Sequence, residues 1–86
     1  MPTLNILDTV ANLEPIPADR LTLVEQDYEL VQSLPVGQVG TVLEVYDGDT
    51  PHCLVEFADL QGREYAMATL NSSEVLVLHY ELAMAA

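Results

Sequence analysis

The sequence predicts an all-β fold, a small antiparallel barrel of about five strands with an N-terminal excursion, on three observations. Valine-rich runs around Val42, Val55 and Val77 alternate or stay apolar over lengths too short for helices. Tight-turn sequences separate these runs at roughly regular spacing. Closure into a barrel would remove the exposed edges that short strands otherwise present.

Taken in order, Ile6-Leu7-Asp8-Thr9-Val10-Ala11 reads as the first strand. Pro15 and Pro17 interrupt the next stretch of chain. Leu21 to Val24 with Tyr28 to Leu34 fits a helix or a hairpin, and the hairpin-like excursion over residues 14–33 is preferred; Pro17-Ala18-Asp19-Arg20 could instead start a helical turn. Leu34-Pro35-Val36-Gly37-Gln38 is a glycine-marked turn feeding the strand Val39 to Tyr46. Asp47-Gly48-Asp49-Thr50-Pro51 supplies the next turn. Cys53-Leu54-Val55-Glu56-Phe57 then alternates, with Cys53, Val55 and Phe57 on one face, so Cys53 should be an inert core thiol. Asp59-Leu60-Gln61-Gly62 has type I turn chemistry, and Arg63 to Met67 runs back to complete a three-stranded meander. After the break Asn71-Ser72-Ser73-Glu74, the run Val75 to Tyr80 is apolar on both faces, as a central or barrel strand would be. Together these elements predict an SH3-like barrel, with residues 1–86 as a single domain.

Composition narrows function without fixing it. Fourteen acidic residues face two basic ones, for a formal net charge of -12. There is no lysine, and Arg20 and Arg63 are the only fixed cations, so the chain cannot neutralise the several phosphates a nucleic acid presents. An anionic membrane surface is disfavoured for the same reason, and the longest apolar run, Leu82 to Ala86, is far short of a span of about 20 residues. A mean hydropathy of +0.22 is too high for a disordered acidic tail. The opening residues lack the basic and apolar regions of a secretory signal, and one cysteine cannot form an internal disulfide; both point to a reducing cytoplasm. A domain this small has a thin stability margin unless a partner adds to it, which leaves a homo-oligomer open.

On the residues Pro35-Val36-Gly37-Gln38-Val39-Gly40-Thr41-Val42, Val55-Glu56-Phe57, Gly62-Arg63-Glu64-Tyr65-Ala66 and Val75 to Tyr80, the chain resembles the short bacterial SH3-like domains of unknown function that abound in cyanobacteria. Leu7 to Ala11 matches their first strand. The resemblance implies a fold and a binding role, with an antitoxin or immunity function among those suspected for the group; it carries no catalytic residues over. Gly37 to Val42 is also similar to the turn of KOW modules, which bind RNA or protein. Without lysines, only the protein-binding half of that likeness applies here.

No residue pattern demands a cofactor. Asp47-Gly48-Asp49 looks like the start of a calcium loop, but His52 and Ala58 stand where the loop geometry wants glycine and glutamate, so an ordinary turn is expected. His52 and Cys53 are strand neighbours that point to opposite faces, and a thiol, zinc or hydrolase site using Cys53 and His79 lacks an orienting carboxylate and paired ligand spacing. Tyr28, Tyr46, Tyr65 and Tyr80 could line a peptide groove or pack the barrel with hydroxyls at its rim. Glu44, Glu56, Glu64 and Glu74 fall at outward strand or strand-end positions. With Tyr46 and Tyr65 they form the expected interaction face for a basic protein partner, in an assembly or toxin-neutralising role. A nucleic-acid mimic and a small enzyme are the competing expectations.

Overall fold

The computed structural model describes residues 4–24 and 33–79. Eight strands are present: β1 (Thr9–Asn12), β2 (Ile16–Pro17), β3 (Thr22–Leu23), β4 (Ser33–Leu34), β5 (Val39–Tyr46), β6 (His52–Ala58), β7 (Glu64–Asn71) and β8 (Val75–Val77). No α-helix occurs among the described residues; two single 3-10 turns, Ala18–Arg20 and Ser72–Glu74, precede β3 and β8. The fold is therefore all-β, and its five longest strands are the five the sequence predicts.

Six strands form one antiparallel sheet in the order β3-β7-β6-β5-β1-β8, while β2 and β4 pair separately. The meander β5-β6-β7 is as expected, with Val42 opposite Val55 and Val55 opposite Ala68. The sheet is open: β3 and β8 are its two edges. It cannot be flat, however. In a flat sheet β7 and β8 would lie four strand spacings apart, about 19 Å. The three-residue 3-10 turn between them rises only ~2 Å per residue, and even extended chain from Asn71 to Val75 spans about 14 Å. The sheet must curl for β8 to reach β1.

The concave face holds the core. Val10, Val42, Cys53, Val55 and Phe57 are fully buried there, joined by Ala66, Ala68, Leu70 and Val75. Ile16 of β2 and Leu34 of β4, opposite one another in register, add their side chains to the same cluster. The excursion over residues 14–33 thus closes at its base as a two-stranded ladder, and its β3 joins the main sheet through Thr22 opposite Met67. The helical turn weighed as the alternative at Pro17 to Arg20 is present beside the β2–β4 ladder, as the first 3-10 turn, Ala18–Arg20.

Three differences from expectation have local causes. The first strand starts at Thr9 rather than Ile6, because Asp8 N donates to Asn5 O at 3.1 Å and closes a turn in which Leu7 has φ +74°. The last strand ends at Val77 within the described residues. Finally, two bulges break the alternation, at Val42/Glu44 in β5 and at Phe57/Ala58 against β7.

Candidate interaction face

The convex face of the sheet is set by strand alternation and by the first bulge. β6 turns Cys53, Val55 and Phe57 inward, so His52, Leu54 and Glu56 point outward. β5 turns Val42 inward, and the extra residue Leu43 resets the phase so that Val45 packs against the core and Glu44 and Tyr46 project outward. Pairing then arranges the outer side chains in rows. Thr9, Thr41, Glu56, Met67 and Thr22 form one. Glu44, Leu54 and Thr69 form the next, followed by Tyr46, His52 and Asn71. The Tyr46 and His52 rings stack, with centroids 5.0 Å apart and planes at 29°.

Of the expected face, Glu44, Glu56, Glu64 and Tyr46 come together on this convex surface. Partial burial first, then the nearby Glu64 carboxyl and a hydrogen bond with it, hold the Glu56 carboxyl above the usual carboxylate value. Two expected members leave the face. Tyr65 is the bulged residue of β7: Phe57 pairs with Ala66 and Ala58 with Glu64, so Tyr65 is carried inward and buried beside Ala66. Glu74 has a structural role instead. Its two carboxylate oxygens accept from Arg20 Nη1 and Nη2 at 2.8 and 3.0 Å, and Oε1 also accepts from Asn71 N, closing a capping box on the second 3-10 turn. Tyr28 and Tyr80 lie outside the described residues.

The Arg20 hydrogen bonds, ahead of the smaller opposing effect of burial, hold the Glu74 carboxyl below its ordinary value. A carboxyl whose folded pKa is depressed contributes stability above its unfolded value, near 4.5, and loses it as pH falls through the folded value. The pair is partly solvated, so its contribution is held to about 1 kcal/mol. Arg20→Gln is therefore expected to lower the melting temperature by about 4–8 °C at pH 7 and by progressively less below pH 4.5, as followed by thermal melts across pH 3–7. An equal loss at both ends of that range would contradict this assignment.

Arg63 is paired as well, its Nε donating to Asp59 Oδ2 at 3.0 Å. Both fixed cations are thus bound to carboxylates, and Arg20 Nη2 also donates to Thr69 O at 3.1 Å, at the end of the Glu44 row. Between the turn at Gly37 and the turn at Asp59 the convex face holds a shallow concavity of about 390 Å³. Thr41, Glu56 and Asp59 line it, together with Val39 and Leu60 as exposed apolar residues.

The remaining candidates are dispersed. Cys53 is fully buried, and burial pushes its thiol up, away from the nucleophilic thiolate. His79 is exposed, and His52 Nδ1 lies 2.9 Å from Thr50 O. Asp47-Gly48-Asp49 forms an exposed bend, and among the described residues no three His, Cys, Asp or Glu side chains are grouped as metal ligands.

Sequence reasoning missed Asn12, the one amide side chain buried in the core among the described residues. Its Oδ1 accepts from Gln38 N at 2.7 Å, and its Nδ2 donates to Glu14 O and Pro35 O at 2.8 and 2.9 Å, which fastens both ends of the excursion to β1. The only local signal was its position ahead of Pro15, which reads equally well as a turn.

A family model described as a domain of unknown function, DUF4926, matches residues 6–77. The chain belongs to that family. The match runs from the Asn5–Asp8 turn to the end of β8, so the DUF4926 unit includes the excursion, the meander and the convex face. No curated protein and no solved structure matches the chain. No helix among the described residues is long and apolar enough to cross a membrane.

Proposed function

We propose that this DUF4926 domain is a non-enzymatic, acidic interaction module that binds a basic protein through the convex face of its sheet, in a cytoplasmic assembly or toxin-neutralising role. The observation that supports this most is that Glu44, Glu56 and Glu64 share a face with Tyr46, while both arginines are occupied by Glu74 and Asp59. A face of one sign accelerates encounter with basic surfaces and opposes encounter with nucleic acid or anionic lipid. An enzyme is the weaker alternative, because the sole thiol is buried with its thiolate disfavoured. We further read the curled sheet as an SH3-like barrel left open between β3 and β8, supported by the short β7–β8 connection.

The test is affinity capture of proteins from the source lysate by immobilised domain, at 0.1 and 1 M salt. Screening length falls from ~10 Å to ~3 Å over that range, so a basic protein retained at low salt should be lost at high salt. Glu44→Gln with Glu56→Gln should reduce its association rate about tenfold while leaving the melting temperature within a few degrees. A captured partner indifferent both to salt and to the double substitution would defeat this reading.

A further inference from the structure

The concavity on the convex face has chemistry more specific than a diffuse acidic surface. Its lining includes Thr41 and the carboxylates of Glu56 and Asp59, with Glu64 in hydrogen-bonding reach of Glu56 and Arg63 held on Asp59. Two of its lining residues are apolar and exposed: Leu60, at the tip of the β6–β7 turn, is fully exposed, and Val39 is 48% exposed. Exposed apolar residues beside a carboxylate are suited to a ligand with a greasy stem and a cationic head. Arginine and lysine both have such a form. Arginine fits better, because its planar guanidinium donates two parallel hydrogen bonds to a carboxylate and gives up its hydration more readily than an ammonium.

We propose that this concavity is the seat for one arginine side chain of the basic partner, its methylene stem lying between Val39 and Leu60 and its guanidinium on Glu56. The inference rests on the acidic-module reading and assigns that reading a single anchoring contact. Charge complementarity names the occupant: the domain carries -12 overall, Arg20 is held by Glu74, and Arg63 is held by Asp59 at the edge of the concavity rather than by Glu56, which leaves the Glu56 carboxyl for a cation from another molecule. Partial burial and the neighbouring Glu64 carboxyl hold Glu56 above its ordinary value, and an arriving guanidinium favours its ionised form, so binding strengthens as pH rises through the Glu56 value.

The experiment is a two-dimensional amide NMR titration of the whole chain with N-acetyl-arginine amide, its lysine counterpart and its uncharged citrulline isostere. Arginine should shift the amides of residues 37–41 and 58–60, with lysine at least threefold weaker and citrulline producing no shifts. Glu56→Gln should weaken arginine at least tenfold, Leu60→Ser about threefold, and Glu44→Gln, which removes the same charge outside the concavity, less than twofold. Leu60 is fully exposed, so that variant keeps its fold and separates loss of the apolar lining from loss of structure. Shifts spread over the whole convex face, with Glu44→Gln and Glu56→Gln equally damaging, would overturn the seat while leaving the acidic module standing. Binding of a basic protein that ignores salt would defeat the module itself. Absence of any arginine-induced shift at 20 mM ligand would also overturn the seat.

Discussion

Gly40→Ala is expected to cost about 2–3 kcal/mol, lowering the melting temperature by about 8–24 °C. Gly40 lies at an inward position of β5, opposite Phe57. A Cβ there would meet Val55 Cγ1 at 2.6 Å, the backbone oxygen of Glu56 at 2.9 Å and Phe57 Cδ1 at 3.0 Å. Neither side chain has room to withdraw, since Val55 and Phe57 are both fully buried, and the carbonyl belongs to the β5–β6 ladder. One added methyl therefore forces the two central strands apart, an overpacking effect. Gly48→Ala is the internal control. A Cβ there would have nothing within 4 Å and the φ of Gly48 is not positive, so the variant should stay within about 0.5 kcal/mol of the parent. Urea midpoints for the two variants check the contrast, and similar midpoints would mean that β5 and β6 do not approach as closely as described.

Asn12→Ala should cost at least as much, about 2–4 kcal/mol, for a different reason. Removing the amide leaves Gln38 N, Glu14 O and Pro35 O without the partners they have at 2.7, 2.8 and 2.9 Å. Each such group deprived of its hydrogen bond costs about 1–3 kcal/mol, reduced where water can reach it. Asn12→Asp keeps the shape and the acceptor towards Gln38 N but aims a second oxygen at two carbonyls in a site that is 2% exposed. The carboxyl of that variant should have a folded pKa raised above its unfolded value. By the linkage sign, its stability is greatest at low pH and is lost as pH rises through the folded value. Melting of Asn12→Asp should therefore improve, relative to the parent at the same pH, on going from pH 7 to pH 4. A parallel pH dependence in the two proteins would remove Asn12 from its role as the fastening of the excursion.

How much of this was legible in the sequence depends on the range of the interaction concerned. The meander was readable because Val55 and Phe57 alternate around Glu56 and because turn-forming residues at Asp47 to Pro51 and Asp59 to Gly62 fix where the chain reverses. The β5 bulge left a trace, two inward valines at the odd spacing of 42 and 45, and that trace is what places Glu44 outward. The β7 bulge left none that separates Tyr65 from its neighbours, so Tyr65 was expected on the surface it leaves. Strands of two residues have no period, which is why β2, β3 and β4 were seen only as an excursion. Glu74 read as an outward acid because its partner, Arg20, is 54 residues away in the chain, beyond any local pattern. Leu7 at φ +74° is similarly silent, since leucine does not advertise a left-handed backbone.

The position of β1 between β5 and β8 sets an order of assembly opposed to the order of synthesis. Val10 pairs with Gly40 on one side and with Val77 on the other, so the earliest of the described strands to be made acquires its last neighbour only after nearly every other described residue has followed it. At ~5–20 residues per second that interval is about 3–13 s, during which β5, β6 and β7 can already have formed their local hairpins. Through that interval the nascent chain exposes one flank of β1 and the core face of Val10, a vulnerability that ends when β8 arrives. A truncation that removes β8 would make this transient state permanent, leaving a meander with an unfinished edge rather than a slightly smaller domain.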